Sequence, residues 1–315
     1  MKLLIAYDGS DYADAALDDL RHAGLPEIAE VQVLTASPLP YLAVPAACRY
    51  DLPDRVNITD LNDRQLSNAQ ALATVAADRL RADFPQWHID AEGLLDRAAS
   101  GIVGRAAAWD PDLIVVGPHG LSGVCRVLLG KVPQHVLTHA SCSVRIGRAS
   151  SPAQNQPLQL LVGTDGSPHA GAALRAIAAR QWPSGTQVRI VTVLDSRSLI
   201  FESRAEGFQS MLQFPLTVEE LRSRISDTIQ QAVRFLNDCG LVATAEILAG
   251  DPCDALVNEA KQSNADCIFV GARGLNAIER IALGSVSTAV AARAQCSVEV
   301  VRQPGYTGEM KVSGS

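Results

Sequence analysis

No run of apolar residues in this sequence is long enough to cross a membrane, no stretch concentrates lysine and arginine, and no two cysteines are spaced as a CxxC pair. Each absence removes a class of function. The opening MKLLIAYDGSD has one lysine and a five-residue apolar run before Asp8, too short for a signal-peptide core or a membrane span, so a cytoplasmic protein without membrane partners is expected. The formal net charge is -7 and the isoelectric point about 5.4, against a protein that grips a nucleic-acid backbone. The seven cysteines are odd in number and scattered, which fits reduced thiols better than a disulfide frame or a zinc site. Also missing are a GxSxG elbow, a Cys/His/Asp set and a carboxylate cluster for two-metal chemistry, so no catalytic residue is expected.

What the chain does have is an internal repeat. Its 315 residues are enough for two domains. LLIAYDGSDYADAAL (3–17) returns as LLVGTDGSPHAGAAL (160–174), DLIVVGPHGLSGVCRVLLGKV (112–132) as DCIFVGARGLNAIERIALGSV (266–286), and SCSVRIGR (141–148) as QCSVEVVR (295–302). The offset is 157 residues at Asp8/Asp165 and 154 at Gly117/Gly271. Residues 1–149 and 158–303 are therefore the expected domains, joined by the Ser/Pro/Gln/Asn stretch 150–157 as linker and followed by a tail, 304–315.

Apolar runs alternate with helical patterns in each half. In the second, strands are expected at 158–164, 187–195, 244–250, 266–272 and 297–301. Helices are expected from Pro168 to Gln181, Val218 to Cys239, Cys253 to Gln262 and Ser285 to Ala294, the third announced by Gly250-Asp251-Pro252. Five β-branched strands separated by helices predict an α/β fold: two tandem, doubly wound, five-stranded parallel sheets. Ligands of such sheets bind at the carboxyl ends of the strands, where strand order reverses.

The chemistry is expected in the loop after the fourth strand. Gly271-Ala272-Arg273-Gly274 is followed nine residues later by Gly284-Ser285-Val286-Ser287, which opens a helix. Glycines permit positive φ and close approach to a ligand, and the amides and dipole of the helix start attract anions. Ser285 and Ser287 are read as additional hydroxyl donors, and the whole suits a polyphosphate. Either glycine pair alone would carry little; the full G-x2-G-x9-G-S spacing after a buried strand is specific.

On these residues both halves resemble universal stress protein domains, over nearly the whole chain apart from linker and tail. The resemblance implies the sheet of adenine nucleotide alpha hydrolase-like proteins, two pseudo-two-fold related domains, and ATP as ligand, with Mg2+ an optional companion of the phosphates. It places Gly163, Thr164 and Asp165 against the adenosine and Val193 against adenine. Val270, Gly271, Arg273, Gly274, Gly284, Ser285, Val286 and Ser287 would line the ribose and phosphates. A competing reading of Asp165 is a helix N-cap. The resemblance also implies pairing of the last strands, 143–147 and 297–301, as an intrachain pseudo-dimer, with a further homodimer open.

The first half departs where it matters. Gly117-Pro118-His119-Gly120 and Gly130 keep the spacing, but Lys131-Val132-Pro133 replaces Ser-Val-Ser, losing two hydroxyls and one amide hydrogen. A domain retained for packing is favoured over a second ATP site, although Lys131 and His119 could each still meet a phosphate. Gly130-Lys131 is not a Walker A loop, which needs Gly at Cys125 and Ser or Thr at Val132.

The remaining features read blandly. His135 and His139 lie four apart on a helix without a third ligand and suit a solvated face. The repeat-matched Cys142 and Cys296 are expected as small buried residues, and Trp87, Trp109 and Trp182 as local packing. The long loops 37–60 and 195–217 name no ligand. The function expected is an ATP-binding, nucleotide-responsive stress or regulatory protein, at most a weak ATPase. The alternatives are a nucleotide-free dimerising scaffold, a slow ATP-hydrolysing enzyme and a pyrophosphate-loop enzyme. Against the last, Asp8 and Asp165 stand where its phosphate loop would lie, and an acid there repels phosphate.

Overall fold

A computed structural model describes residues 1–38, 58–120, 129–149, 157–195, 218–274 and 283–303. The loops 37–60 and 195–217, the linker and the glycine-loop interiors thus fall largely outside the described residues, as do Cys125 and the whole tail. The chain divides into two compact units, residues 1–149 and 150–315.

The first unit runs β1 (Lys2–Ala6), α1 (Asp11–Asp19), β2 (Glu30–Ser37), α2 (Ile58–Asp83), β3 (His88–Leu95), α3 (Ala98–Trp109), β4 (Leu113–Val116), α4 (Lys131–His139) and β5 (Ser143–Ile146). All its strand pairs are parallel, in the order β3-β2-β1-β4-β5. The chain moves outward from β1 in one direction, then returns to start again on the other side. Between β1 and β4 the strand order reverses, and there the two crossovers diverge and leave a crevice.

Burial explains the two layers of helices. Leu3, Ile5, Val31, Val33, Leu113 and Val115 pack with Leu17 of α1 and Ala73, Ala77 and Leu80 of α2. The alternate residues Leu4, Ile114 and Val116 are equally buried and by strand periodicity face the other way, toward α3 and α4. Strands buried on both faces must be apolar throughout, as LIVV of β4 is. Trp87 stacks on Phe84 with 3.9 Å between ring centroids and donates its indole hydrogen to the Pro26 carbonyl, a local packing role. The helix face carrying His135 and His139 stacks the two rings at 4.0 Å, with His139 exposed.

The second unit repeats the plan with β6 (Gln159–Gly163), α5 (Pro168–Ala178), β7 (Gln187–Leu194), α6 (Val218–Asp238), β8 (Val242–Ala249), α7 (Pro252–Gln262), β9 (Cys267–Gly271), α8 (Ser285–Arg293) and β10 (Ser297–Val301). Its parallel order is β8-β7-β6-β9-β10. Leu160, Val162, Val188, Ile190 and Phe269 meet Ala173 and Ile177 of α5 and Ile229 and Leu236 of α6. Asp251 begins α7 as the turn-plus-proline sequence predicts: its side chain accepts from the amides of Cys253 and Asp254, with Pro252 in the first turn. Cys142 and Cys296 are half-buried rather than buried, because each sits in the turn before its strand instead of within it.

Candidate functional site

Three chain segments converge at the carboxyl ends of β6 and β9. The first is Thr164-Asp165-Gly166-Ser167, which turns β6 into α5. Gly166 has φ +79, a left-handed conformation that favours glycine. Ser167 is the N-cap, its hydroxyl accepting from the Ala170 amide at 3.2 Å. This corrects the N-cap reading of Asp165. Two residues upstream of the cap, its Oδ1 instead accepts from the Ser167 amide at 2.9 Å, and the carboxylate is exposed. The Thr164 amide donates to the Val191 carbonyl at 2.9 Å, and the Thr192 hydroxyl to the Thr164 carbonyl at 2.9 Å. The turn is thereby tied to β7, and Val193 follows on the opposite face of that strand, half-buried.

The second segment is Val270-Gly271-Ala272-Arg273-Gly274 leaving β9. None of Gly271, Gly274 and Gly284 has a positive φ, so left-handed backbone is not what these positions demand. Close approach is. A Cβ on Gly271 would lie 2.6 Å from the carbonyl carbon of His169 and 2.8 Å from the Ala170 amide nitrogen, inside the backbone of α5. A Cβ on Gly274 would lie 2.6 Å from Asp165 Oδ2. The same carboxylate thus orders its own turn with one oxygen and lies against the glycine loop with the other. At Gly163 a Cβ would come 3.0 Å from Leu256 of α7, so this glycine keeps that helix close.

The third segment is Gly284-Ser285-Val286-Ser287, the start of α8. The Gly284 amide donates to the Ala272 carbonyl at 2.8 Å, closing the loop on itself. The helical ladder begins with the Thr288 amide on the Gly284 carbonyl, so the amides of 285 to 287 precede it and carry the positive end of the helix dipole. Ser285 is exposed at this end. Ser287 is not: it is buried, and its hydroxyl donates to the Gly271 carbonyl at 2.6 Å. Its hydrogen is used to brace the loop, which corrects its reading as a hydroxyl donor to ligand.

Around these segments the charge is positive. Arg273 and Arg302 flank His169, and burial first, then those two guanidinium groups, pull the imidazole below its ordinary value, against a smaller upward pull from Asp165. His169 is therefore neutral near pH 7, and the fixed positive charges are the two arginines. The sequence reading missed Thr192, His169 and Arg302, none of which belongs to the glycine spacing; only the helix-capping Ser167 had a local signal, its place two residues after Asp165.

The first unit reproduces the frame with different contents. Gly9 has φ +76, Ser10 caps α1, and Asp8 Oδ1 accepts from the Ser10 amide at 3.0 Å. A Cβ on Gly120 would lie 2.7 Å from Asp8 Oδ2, and the Gly130 amide donates to the Pro118 carbonyl at 2.8 Å. At the start of α4, Lys131 is exposed and Pro133 buried in the place of Ser287.

Asp251, Cys253 and Asp254 at the start of α7 bring ligand atoms within 4.8 Å of one another. Arg293 already occupies that neighbourhood, 3.4 Å from the Cys253 sulfur and 2.5 Å from Asp254 Oδ1, and burial pushes the thiol up. The cluster is a salt-bridged helix start. Among the described residues no helix is long and apolar enough to cross a membrane.

Comparison with known proteins agrees with this duplicated frame. The model of the universal stress protein family matches residues 1–148 and again 158–302. A universal stress protein of Methanocaldococcus jannaschii is 31% identical over 98 residues, 31% of this chain and 58% of that protein. One from Synechocystis is 27% identical over 151 residues, 46% of this chain and 97% of that protein. A crystal structure of a universal stress protein from Archaeoglobus fulgidus aligns with a TM-score of 0.60 at 18% identity, covering 96% of each chain and so showing the fold. With the family model matched twice and nearly end to end, the chain belongs to the universal stress protein family as a tandem, two-domain member.

Proposed function

We propose that the second unit binds ATP and that the protein acts as a nucleotide-responsive stress or regulatory protein in the cytoplasm. One observation carries the reading: Asp165, the Gly271–Gly274 loop and the start of α8 are held against one another by close contacts, one of which, between Gly271 and the backbone of α5, leaves no room for a side chain. The α8 amides, the exposed Ser285 hydroxyl and the Arg273 and Arg302 charges suit phosphates. The Asp165 carboxylate suits ribose hydroxyls, because it accepts hydrogen bonds and would repel a phosphate set beside it. Val193 and Val270 offer apolar contact to the base. Mg2+ would ride on the phosphates. Nucleotide-dependent signalling then requires two states of the protein with different nucleotide affinity.

Thermal unfolding tests the binding. Ligand that binds only the folded chain stabilises it by mass action, about 2.7 kcal/mol at a hundredfold excess over Kd. ATP is expected to raise the melting temperature of the second unit by several degrees, and GTP by less. No shift at millimolar ATP would contradict the proposal. Two glycine substitutions separate ligand effects from folding effects. Gly271→Ala drives a methyl into backbone and is expected to cost about 1–3 kcal/mol of stability. Gly274→Ala meets only the tip of Asp165, which can swing aside, so the apo melting temperature should hardly move while the ATP-induced shift falls.

A further inference from the structure

His169 stands in the first turn of α5, after the cap Ser167 and Pro168, and imidazole is the side chain whose charge changes near neutral pH. Backbone contacts fix its neighbours. A Cβ on Gly271 would lie 2.6 Å from the His169 carbonyl carbon and 2.8 Å from its oxygen, so the end of β9 rests directly on this turn. Gly271 is the register partner of Val301 in β10, and the Ala272 amide donates to the Val301 carbonyl at 2.8 Å. The Ser167 hydroxyl donates to the Arg273 carbonyl at 3.4 Å. Arg273 and Arg302 therefore leave neighbouring strand ends beside His169.

Each group around the ring pulls in a known direction. Burial comes first, then Arg273 and Arg302, and all three favour the neutral imidazole; Asp165, in the turn before the helix, favours the charged one. The leading amides of α5 act with the arginines, because the positive end of a helix dipole disfavours a cation. The first unit has this frame with other contents. A Cβ on Gly117 would lie 2.9 Å from the Tyr12 carbonyl oxygen, so Tyr12 holds the place of His169, while His119 and Arg148 stand where Arg273 and Arg302 do.

A polyphosphate reverses this balance. Set against Arg273 and Arg302 it more than cancels their charge, and a nearby anion favours the imidazolium. The proton affinity of His169 is then low in the free chain and high in the complex. By linkage, nucleotide affinity rises as pH falls through the range between those two values and is flat on either side of it. We propose that ATP binding to the second unit is coupled to protonation of His169, so that nucleotide occupancy responds to acidification. The inference rests on the ATP reading of that unit and adds to it a regulation of the same site.

Calorimetry of the intact chain with ATP, repeated in buffers of differing ionisation enthalpy, reads the proton directly. Near pH 7 the native chain is expected to take up a fraction of a proton per ATP more than His169→Gln, a difference that cancels any proton the nucleotide itself gains or loses. The ratio of native to variant affinity should rise roughly fivefold from pH 8 to pH 6, within the tenfold per pH unit that one linked proton allows. The substitution leaves the contact with Gly271 in place, since that contact is made by the main chain of His169. Equal proton uptake by the two chains, or a flat affinity ratio, overturns the proposal and leaves ATP binding standing. Absence of binding heat from either chain overturns the ATP reading and the coupling with it. Should His169→Gln fail to fold, NMR titration of the imidazole C–H signals of the native chain decides: ATP is expected to raise the titration midpoint of one of the six histidines, and no movement overturns the proposal.

Discussion

Asp19→Ala is expected to cost the first unit about 3–5 kcal/mol, the largest stability loss among the substitutions considered. Asp19 ends α1 and Arg145 lies within β5; both side chains are 1% exposed. Arg145 Nε donates to Asp19 Oδ2 at 2.6 Å and Nη2 to Oδ1 at 3.0 Å, a two-pronged geometry that fixes the helix end against the strand. The loss comes from breaking a buried ion pair by removing one partner, which takes away two hydrogen bonds to the guanidinium in an interior that water does not reach. Urea unfolding followed by the fluorescence of Trp87 and Trp109 measures it. Replacing both partners with apolar residues, as in Asp19→Leu with Arg145→Met, should recover most of the loss, which would show that the penalty lies in breaking the pair on one side only. The second unit solves the corresponding problem with reversed polarity, through Arg180 and Glu299.

The largest expected effect on ligand binding comes from Ser285→Lys with Ser287→Pro, which copies the start of α4 into α8. The change removes the exposed Ser285 hydroxyl, the leading amide hydrogen at 287 and the Ser287 bond to the Gly271 carbonyl that braces the loop. A hydrogen bond to a charged group contributes about 1.5–3 kcal/mol, so losing two predicts a fall in ATP affinity of at least about a hundredfold. Pro133 occupies the equivalent position in the first turn of α4, which forms normally, so the fold of α8 should survive. A melting temperature within a few degrees of the parent, with ATP binding lost, is the expected pair of results. Retained ATP affinity would mean that the helix start is not what holds the phosphates.

How far the sequence carried this account differs from feature to feature. The strands were legible because parallel strands covered on both faces must be apolar along their length, and 297–301 matches β10 at both ends. Helix ends drifted by a few residues where tertiary packing set the stop: the pattern extends to Gln181, yet α5 ends at Ala178 and Trp182 folds back to bond the Ile177 carbonyl. The first strand residues of β8 were missed because Val242 is exposed and reads as turn. The glycine spacing located the site, but its meaning lay in three dimensions. Gly271 is needed because α5 crosses it, a contact between residues about a hundred positions apart that no local pattern encodes. Ser287 read as a ligand donor because sequence gives a residue type at a helix start and not the direction of its hydroxyl. Asp19 and Arg145, 126 residues apart, are each an unremarkable charge until the fold removes both from water.

Calorimetric titration of the intact chain with ATP tests the central claim most directly, because it gives stoichiometry and affinity together. One ATP per chain is predicted, with binding abolished by Ser285→Lys with Ser287→Pro. No binding of ATP, or one ATP still held by the Ser285→Lys, Ser287→Pro chain, would contradict the assignment of the nucleotide site to the second unit.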